Sequence, residues 1–174
     1  HPDAVFVIGG HPILAKGGRK FMWAQSLIDL LELHSEMSIV LSTPWVRHLG
    51  FSRTNAALPE SLRKRVIGST WHSAVASSSR GVISDCEDWY DNATRYEQIS
   101  RSVSHANLSS GDWIAIDHNV QAWPQEMRHC LVKVDRKKGL SCPVSLAELK
   151  ARLVENYIVH TNSGTNINYQ FQNA

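Results

Sequence analysis

The stretch AVFVIGGHPIL, Ala4 to Leu14, constrains the fold of this chain more than any other. Its first five residues form a continuous apolar run rich in β-branched side chains. Such a run reads as a strand buried on both faces, as strands are in a parallel sheet. Gly9-Gly10 ends the run, and His11-Pro12 then favours an extended or turning backbone. Ligands of open α/β sheets gather beyond the carboxyl ends of the strands. The first site residues are therefore expected in the turn from Ile8 to Pro12. That turn offers two glycines, a histidine and a proline, and no carboxylate, serine or cysteine.

The rest of the chain continues the pattern of alternation. Helical spacing over Phe21–Glu36 puts Trp23, Leu27, Leu30, Leu31 and His34 on one core-facing stripe. Ser38–Leu41 reads as a second buried strand, ending at Ser42-Thr43-Pro44. Pro59 suits the first position of a short helix, and Arg65–Gly68 reads as a third strand. Residues 74–91 carry a Ser-rich and then an acidic segment, read as a loop or cap insertion. A helix over Asn92–Val103 would carry Tyr96, Ile99 and Val103 on one side. Asp112–Ile116 is a fourth strand with Asp117-His118-Asn119 at its carboxyl end, and Cys130–Val134 is a fifth. Pro143–Asn156 is the last helix, with Ser145 and Glu148 spaced as a capping box. The polar tail, residues 161–174, reads as mobile or as an added edge strand. The expected fold is α/β, a doubly wound, mostly parallel five-stranded sheet, in one domain over residues 1–160.

Composition narrows the function classes. The net charge of +2 over 174 residues, without a dense basic block, does not demand nucleic acid. No apolar run approaches the roughly 20 residues of a membrane span. The N-terminal segment lacks the regions of a signal peptide, and three cysteines without a CxxC pair suit a reducing compartment. A cytoplasmic location is expected. Cys86 lies between Asp85 and Glu87, the wrong electrostatics for a reactive thiolate, and Cys130 lies in an apolar strand. Neither a GxSxG elbow nor a Walker A sequence is present.

The phrases VFVIGGHPIL, SIVLSTPWVRHLG, LPESLRKRVIGSTWHS, TRYEQI and DWIAIDHNVQAWP, spread over residues 4 to 156, resemble the haloacid dehalogenase (HAD) superfamily. The resemblance is to its small bacterial members, including the HAD domains of RNA-repair-associated proteins. It implies a first strand ending in Asp-x-Asp-Gly, where the first Asp attacks phosphate and the second moves protons. It also implies a Ser or Thr after the second strand and a Lys or Arg from the helix before the fourth. Acidic residues at the end of that strand hold Mg²⁺. By this resemblance Ser42 matches the hydroxyl position, Arg95 the basic one and Asp117 the metal-holding acid, with His118 where a second acid is common. Ile8 and Gly10 stand where both catalytic aspartates belong.

Isoleucine has no lone pair to attack phosphorus, and glycine cannot transfer a proton. An aspartyl-phosphate mechanism is not expected from this chain. What remains is capacity to bind. Gly9, Gly10 and His11 can present backbone N–H groups to an anion, and Ser42, Thr43 and Arg95 can add side-chain donors. The plainer alternative is a tight glycine turn and a strand-capping serine. No cofactor is expected, though Asp117 and His118, with His11 and His72, offer a Mg²⁺ or Zn²⁺ alternative without a local spacing signature. Trp45, Trp71, Trp89 and Trp123, near Arg47, His48, Arg53, Arg63, Lys64 and Arg65, suit a protein interface or stacking on nucleic acid. The expected function is that of a HAD-like pseudoenzyme that binds. A protein partner is slightly favoured over a phosphorylated small molecule or a nucleic-acid end, and membrane binding is not expected. The alternative is a metal-dependent phosphohydrolase, acting on phosphate esters or nucleic-acid ends, with a non-standard site.

Overall fold

The computed structural model describes residues 5–8, 11–71 and 89–163. The fold is α/β, and the chain forms two compact units. One holds the described residues through Met37 together with Ser110–Ser163; the other holds those within Ser38–Ser109.

The first unit begins with β1 (Val5–Ile8) and β2 (His11–Leu14), which pair antiparallel with Val5 opposite Leu14 and Ile8 opposite His11. This differs from the expected place of the first strand in a parallel sheet. Two four-residue runs separated by two glycines carry the signature of a hairpin, and the β-rich apolar run alone does not distinguish the two pairings. Along β2 the side chains alternate, with His11 and Ile13 exposed and Pro12 and Leu14 buried. A half-buried strand alternates in this way.

Helix α1 (Ala24–Glu32) is shorter than its apolar stripe. Phe21 adopts a positive φ of 53°, and Trp23 at the N-cap provides no side-chain cap, so the helix starts late. Its buried face is the expected one in part: Leu30, Leu31 and the following His34 are buried, Trp23 and Leu27 are half-buried, and Ile28, outside the expected stripe, is buried with them. Leu30 packs with Val132, Leu140, Leu149 and Leu153, flanked by Leu27, Met37, Ile114, Val134 and Leu146. Strand β5 (Ala115–Asp117) pairs parallel with β6 (Leu131–Lys133), Asp117 opposite Lys133. A 3₁₀ helix over Gln125–Cys130 leads into β6.

The last helix of this unit, α6 (Pro143–Ser163), runs beyond the expected end at Asn156 and takes in Thr161–Ser163. The capping box expected at Ser145 does not form. Ser145 Oγ instead donates to the Lys133 carbonyl at 2.9 Å, tying the start of α6 to the end of β6.

In the second unit β3 (Ile39–Leu41) and β4 (Val66–Ser69) pair parallel. Between them run three short helices, α2 (Pro44–Leu49), α3 (Phe51–Ala56) and α4 (Glu60–Arg63). Gly50, with φ of 80°, separates α2 from α3. Such a left-handed value suits a residue without Cβ. Pro59 stands one position earlier than expected, at the N-cap of α4. Helix α5 (Arg95–His105) opens on a full capping box. Glu97 N–H donates to Thr94 Oγ1 at 3.2 Å, and Thr94 N–H donates to Glu97 Oε2 at 2.6 Å.

The six described strands thus form three two-stranded sheets, two of them parallel. In the parallel pairs polar residues follow or end the strands: Ser42 after β3 and Asp117 closing β5, both singled out above, and Thr70 after β4. No described helix is long and apolar enough to cross a membrane. The expected insertion, apart from residues 89–91, and the tail beyond Ser163 lie outside the described residues.

Candidate functional site: an anion cradle beside the second strand

The second unit brings together two residues 53 positions apart. Arg95 Nη1 donates to Ser42 Oγ at 3.3 Å. Ser42 gets its place from β3, whose carboxyl end it follows. Arg95 gets its place from the Thr94 capping box, which sets the first turn of α5. Thr70, just after β4, donates from Oγ1 to Ser42 Oγ at 3.5 Å, and its hydroxyl is 3.3 Å from the Tyr90 hydroxyl.

Arg95 is also held from below. Its Nη1 donates to Gln98 Oε1 at 3.1 Å, and Gln98 Nε2 donates to the carbonyls of Tyr90 (2.8 Å) and Ala93 (3.3 Å). Gln98 is one of the few buried polar residues, 8% exposed. Ser42, Thr70, Tyr90, Arg95 and Gln98 therefore form a closed ring of hydrogen bonds. No described carboxylate forms an ion pair with Arg95, whereas Arg47 is paired with Asp91. A partly exposed guanidinium beside a hydroxyl, without a counter-charge among the described residues, is chemically a receptor for an oxyanion.

Thr43 is not part of this cradle. Its Oγ1 accepts from Trp45 N–H at 3.3 Å and caps α2. A threonine before Pro44 at N1 is well placed to cap, and because its oxygen accepts there, its own O–H is still available to donate.

In the first unit Asp117 ends β5 as expected. Its Oδ1 accepts from His118 N–H at 2.6 Å and Asn119 N–H at 3.2 Å, and lies 3.3 Å from His118 Nδ1. The carboxylate shapes its own loop in an Asx turn. His118 is exposed beside it, and His11 is exposed on β2. Among the described residues no three His, Cys, Asp or Glu side chains converge as a metal site would need. His72, Gly9, Gly10 and Cys86 lie outside the described residues.

The remaining sequence candidates separate clearly. Cys130 is buried, its Sγ within 3.1 Å of the Ser110 carbonyl, and burial raises its thiol pKa. Cys142, which the sequence reading passed over, stands just before α6. Backbone N–H groups of Ser145 and Val144 lower its pKa. Trp123, expected near a binding surface, is 2% exposed and packs at 6.1 Å from Trp113. Trp89 carries the Arg101 guanidinium 4.5 Å above its ring.

A family described as the HAD domain in Swiss Army Knife RNA repair proteins matches residues 3–144. The chain belongs to this HAD family. No curated protein and no solved structure matches it. The matched range includes the Ser42–Arg95 pair, Asp117 and the whole of β1.

The Mg²⁺ that a HAD phosphatase holds does not fit the donors that the described residues of this HAD domain bring together. Mg²⁺ demands near-octahedral oxygen ligation, usually through carboxylates and water. No carboxylate occurs between Asp3 and Asp29, so β1 and β2 supply none. Asp117 contributes a single carboxylate, one oxygen of which is committed to backbone N–H groups.

Proposed function

We propose that this HAD domain is a phosphate-binding pseudoenzyme. It captures a phosphate-bearing ligand through Ser42 and Arg95 and does not hydrolyse it. The observation that carries this reading is the 3.3 Å contact between Arg95 Nη1 and Ser42 Oγ, in a chain with Ile8 and Gly10 at the aspartate positions. The electrostatic half of a phosphoryl-transfer site is present and the nucleophilic half is absent. A doubly wound, mostly parallel five-stranded sheet over residues 1–160 is the frame we propose for it, in a bacterial, cytoplasmic protein. The family's association with RNA repair supports a phosphorylated nucleic-acid end as ligand over a protein partner. The engagement of Trp123 and Trp89 in the fold weighs in the same direction.

The test is a pair of measurements on one protein preparation. The first titrates oligoribonucleotides with a terminal phosphate against the same sequences ending in hydroxyl. Wild type should prefer the phosphorylated end, and Arg95→Met should remove at least tenfold of that preference. The second follows hydrolysis of a generic phosphate ester with Mg²⁺, Mn²⁺ or Zn²⁺. Wild type should be silent. Turnover by wild type that collapses in Asp117→Asn would replace this proposal with a metal-dependent phosphohydrolase. Equal binding of both ends would remove phosphate recognition and return the weight to a protein partner.

A further inference from the structure

Gln98 is unusual within α5. The helix buries this amide, while Tyr96, Ile99 and Val103, the residues its apolar pattern puts inside, are only half-buried. Burying a primary amide is costly unless its donors and acceptor are used. Here they are used in one orientation only. Two backbone carbonyls, of Tyr90 and Ala93, face Nε2 at 2.8 and 3.3 Å. Carbonyls accept and cannot donate, so the amide nitrogen must point at them. Oε1 is thereby forced toward Arg95, which donates to it at 3.1 Å.

The choice of an amide has an electrostatic consequence. A carboxylate at this position would bind the guanidinium more strongly, but it would neutralise the cation and face two carbonyl oxygens. The amide holds Arg95 by a neutral acceptor and leaves its positive charge uncompensated by any described carboxylate. The other side of the ring is ordered in the same way. Ser42 Oγ accepts from both Thr70 Oγ1 and Arg95 Nη1, so its own O–H is left to donate outward. With the Thr70 proton committed to Ser42, the Tyr90 hydroxyl donates to Thr70 across 3.3 Å.

We propose that Gln98 is a positioning residue that holds Arg95 aimed and charged for an anion. Tyr90 and Thr70 orient the Ser42 hydroxyl as a donor to that same anion. This rests on the reading of the Ser42–Arg95 pair as an anion cradle, and it adds the residues that make the cradle work. It also assigns the cradle a character: all donors and no acceptors. Such a site takes fully ionised oxyanions and does not distinguish sulfate from dianionic phosphate.

The test uses inorganic phosphate and sulfate as probes on the full chain, with binding followed by calorimetry. Wild type should bind both, with sulfate affinity nearly flat between pH 4 and 7. Gln98→Glu should weaken sulfate binding at least tenfold at pH 7 and recover it as the pH falls through the carboxylate range. Urea unfolding of Gln98→Glu over the same pH range should show the protein folded throughout, so that the recovery is one of binding; loss of the fold at pH 7 with its return at low pH would make Gln98 a fold-supporting residue and refute its positioning role. Gln98→Met, nearly isosteric and uncharged, should weaken binding about threefold to tenfold at every pH. A second readout needs no variant fold: in wild type the Arg95 Nη–H resonances should be resolved, because Gln98 and Ser42 restrict rotation of the guanidinium. If Gln98→Glu and Gln98→Met bind as wild type does, or the Arg95 resonances average to one, the role of Gln98 is refuted while the cradle stands. If wild type binds neither anion, the cradle itself is refuted.

Discussion

Gly139 offers a sharp test of the packing in the first unit. It lies in the turn after β6, where Asp135 Oδ1 accepts from the N–H groups of Lys137 and Lys138 at 2.8 and 2.7 Å. Its φ is +52°, and a Cβ built on it would sit 2.5 Å from Cε3 of Trp23. Gly139→Ala therefore has two costs. The left-handed backbone contributes about 1–2 kcal/mol for any residue with a Cβ. The contact with Trp23 requires the ring to retreat by about 1 Å, an overpacking cost of roughly 1–3 kcal/mol. The sum is about 2–5 kcal/mol, or a fall in Tm of about 4–20 °C for a chain of this size. Gly17 supplies the control, because its φ of +67° is similar and its built Cβ meets nothing within 4 Å. Gly17→Ala should thus show the backbone cost alone, a fall of about 2–6 °C. Thermal and urea unfolding of both variants, with and without Trp23→Ala, isolates the contact. In the Trp23→Ala background the cost of Gly139→Ala should drop to that of Gly17→Ala. Equal costs for the two glycines in the wild-type background would refute the reasoning.

Other outcomes follow from the same structure. Thr94→Ala removes the cap that aims Arg95 and should destabilise by about 1 kcal/mol, read by urea unfolding. The Thr94 hydrogen bonds hold the Glu97 carboxyl below the usual range, so its contribution is present above the unfolded pKa. It should disappear as the pH falls through the lowered folded value, so the gap between wild type and Thr94→Ala should narrow from neutral pH downward and persist in part, because Thr94 Oγ1 still accepts from Glu97 N–H. Cys142 should be alkylated by iodoacetamide at lower pH than an ordinary thiol, because backbone N–H groups lower its pKa. Cys130 should resist under native conditions, and mass spectrometry of the peptides distinguishes them. Leu149→Ala, at a residue 2% exposed in the main core, should cost about 2–5 kcal/mol, measured by chemical denaturation.

Strong periodicity and buried β-branched runs were legible in the sequence. Ile39–Leu41, Val66–Ser69, Ala115–Asp117 and Leu131–Lys133 each fall within three residues of the expected strands. Pairing was not legible: Val5–Ile8 reads the same whether its neighbour is distant and parallel or four residues away and antiparallel. Helices α2 and α3 escaped because each is only six residues long and Gly50 interrupts the pattern between them. Ser42 and Arg95 came from the family resemblance, and hydrogen bonding joins them. Gln98, Thr70 and Tyr90 carried no apolar or charge signal. A polar residue on a helix reads as solvent-facing until its partners in three dimensions are known. The capping boxes teach the opposite lesson. Ser145 and Glu148 have the right spacing but the helix begins two residues before Ser145, whereas Thr94 and Glu97 have the same spacing, Thr94 stands at the N-cap, and the box forms.

The family match stops at residue 144, two residues into α6, while Leu149 and Leu153 of that helix fill the core around Leu30 and Val132. The segment that kinship defines and the segment that folds are thus not the same object. Cut at the boundary of kinship, the chain would keep both members of its anion cradle and forfeit the helix that seals the core of the first unit. A fragment chosen for its ancestry would present apolar surface to solvent. Its insolubility would then say nothing about whether the site can bind.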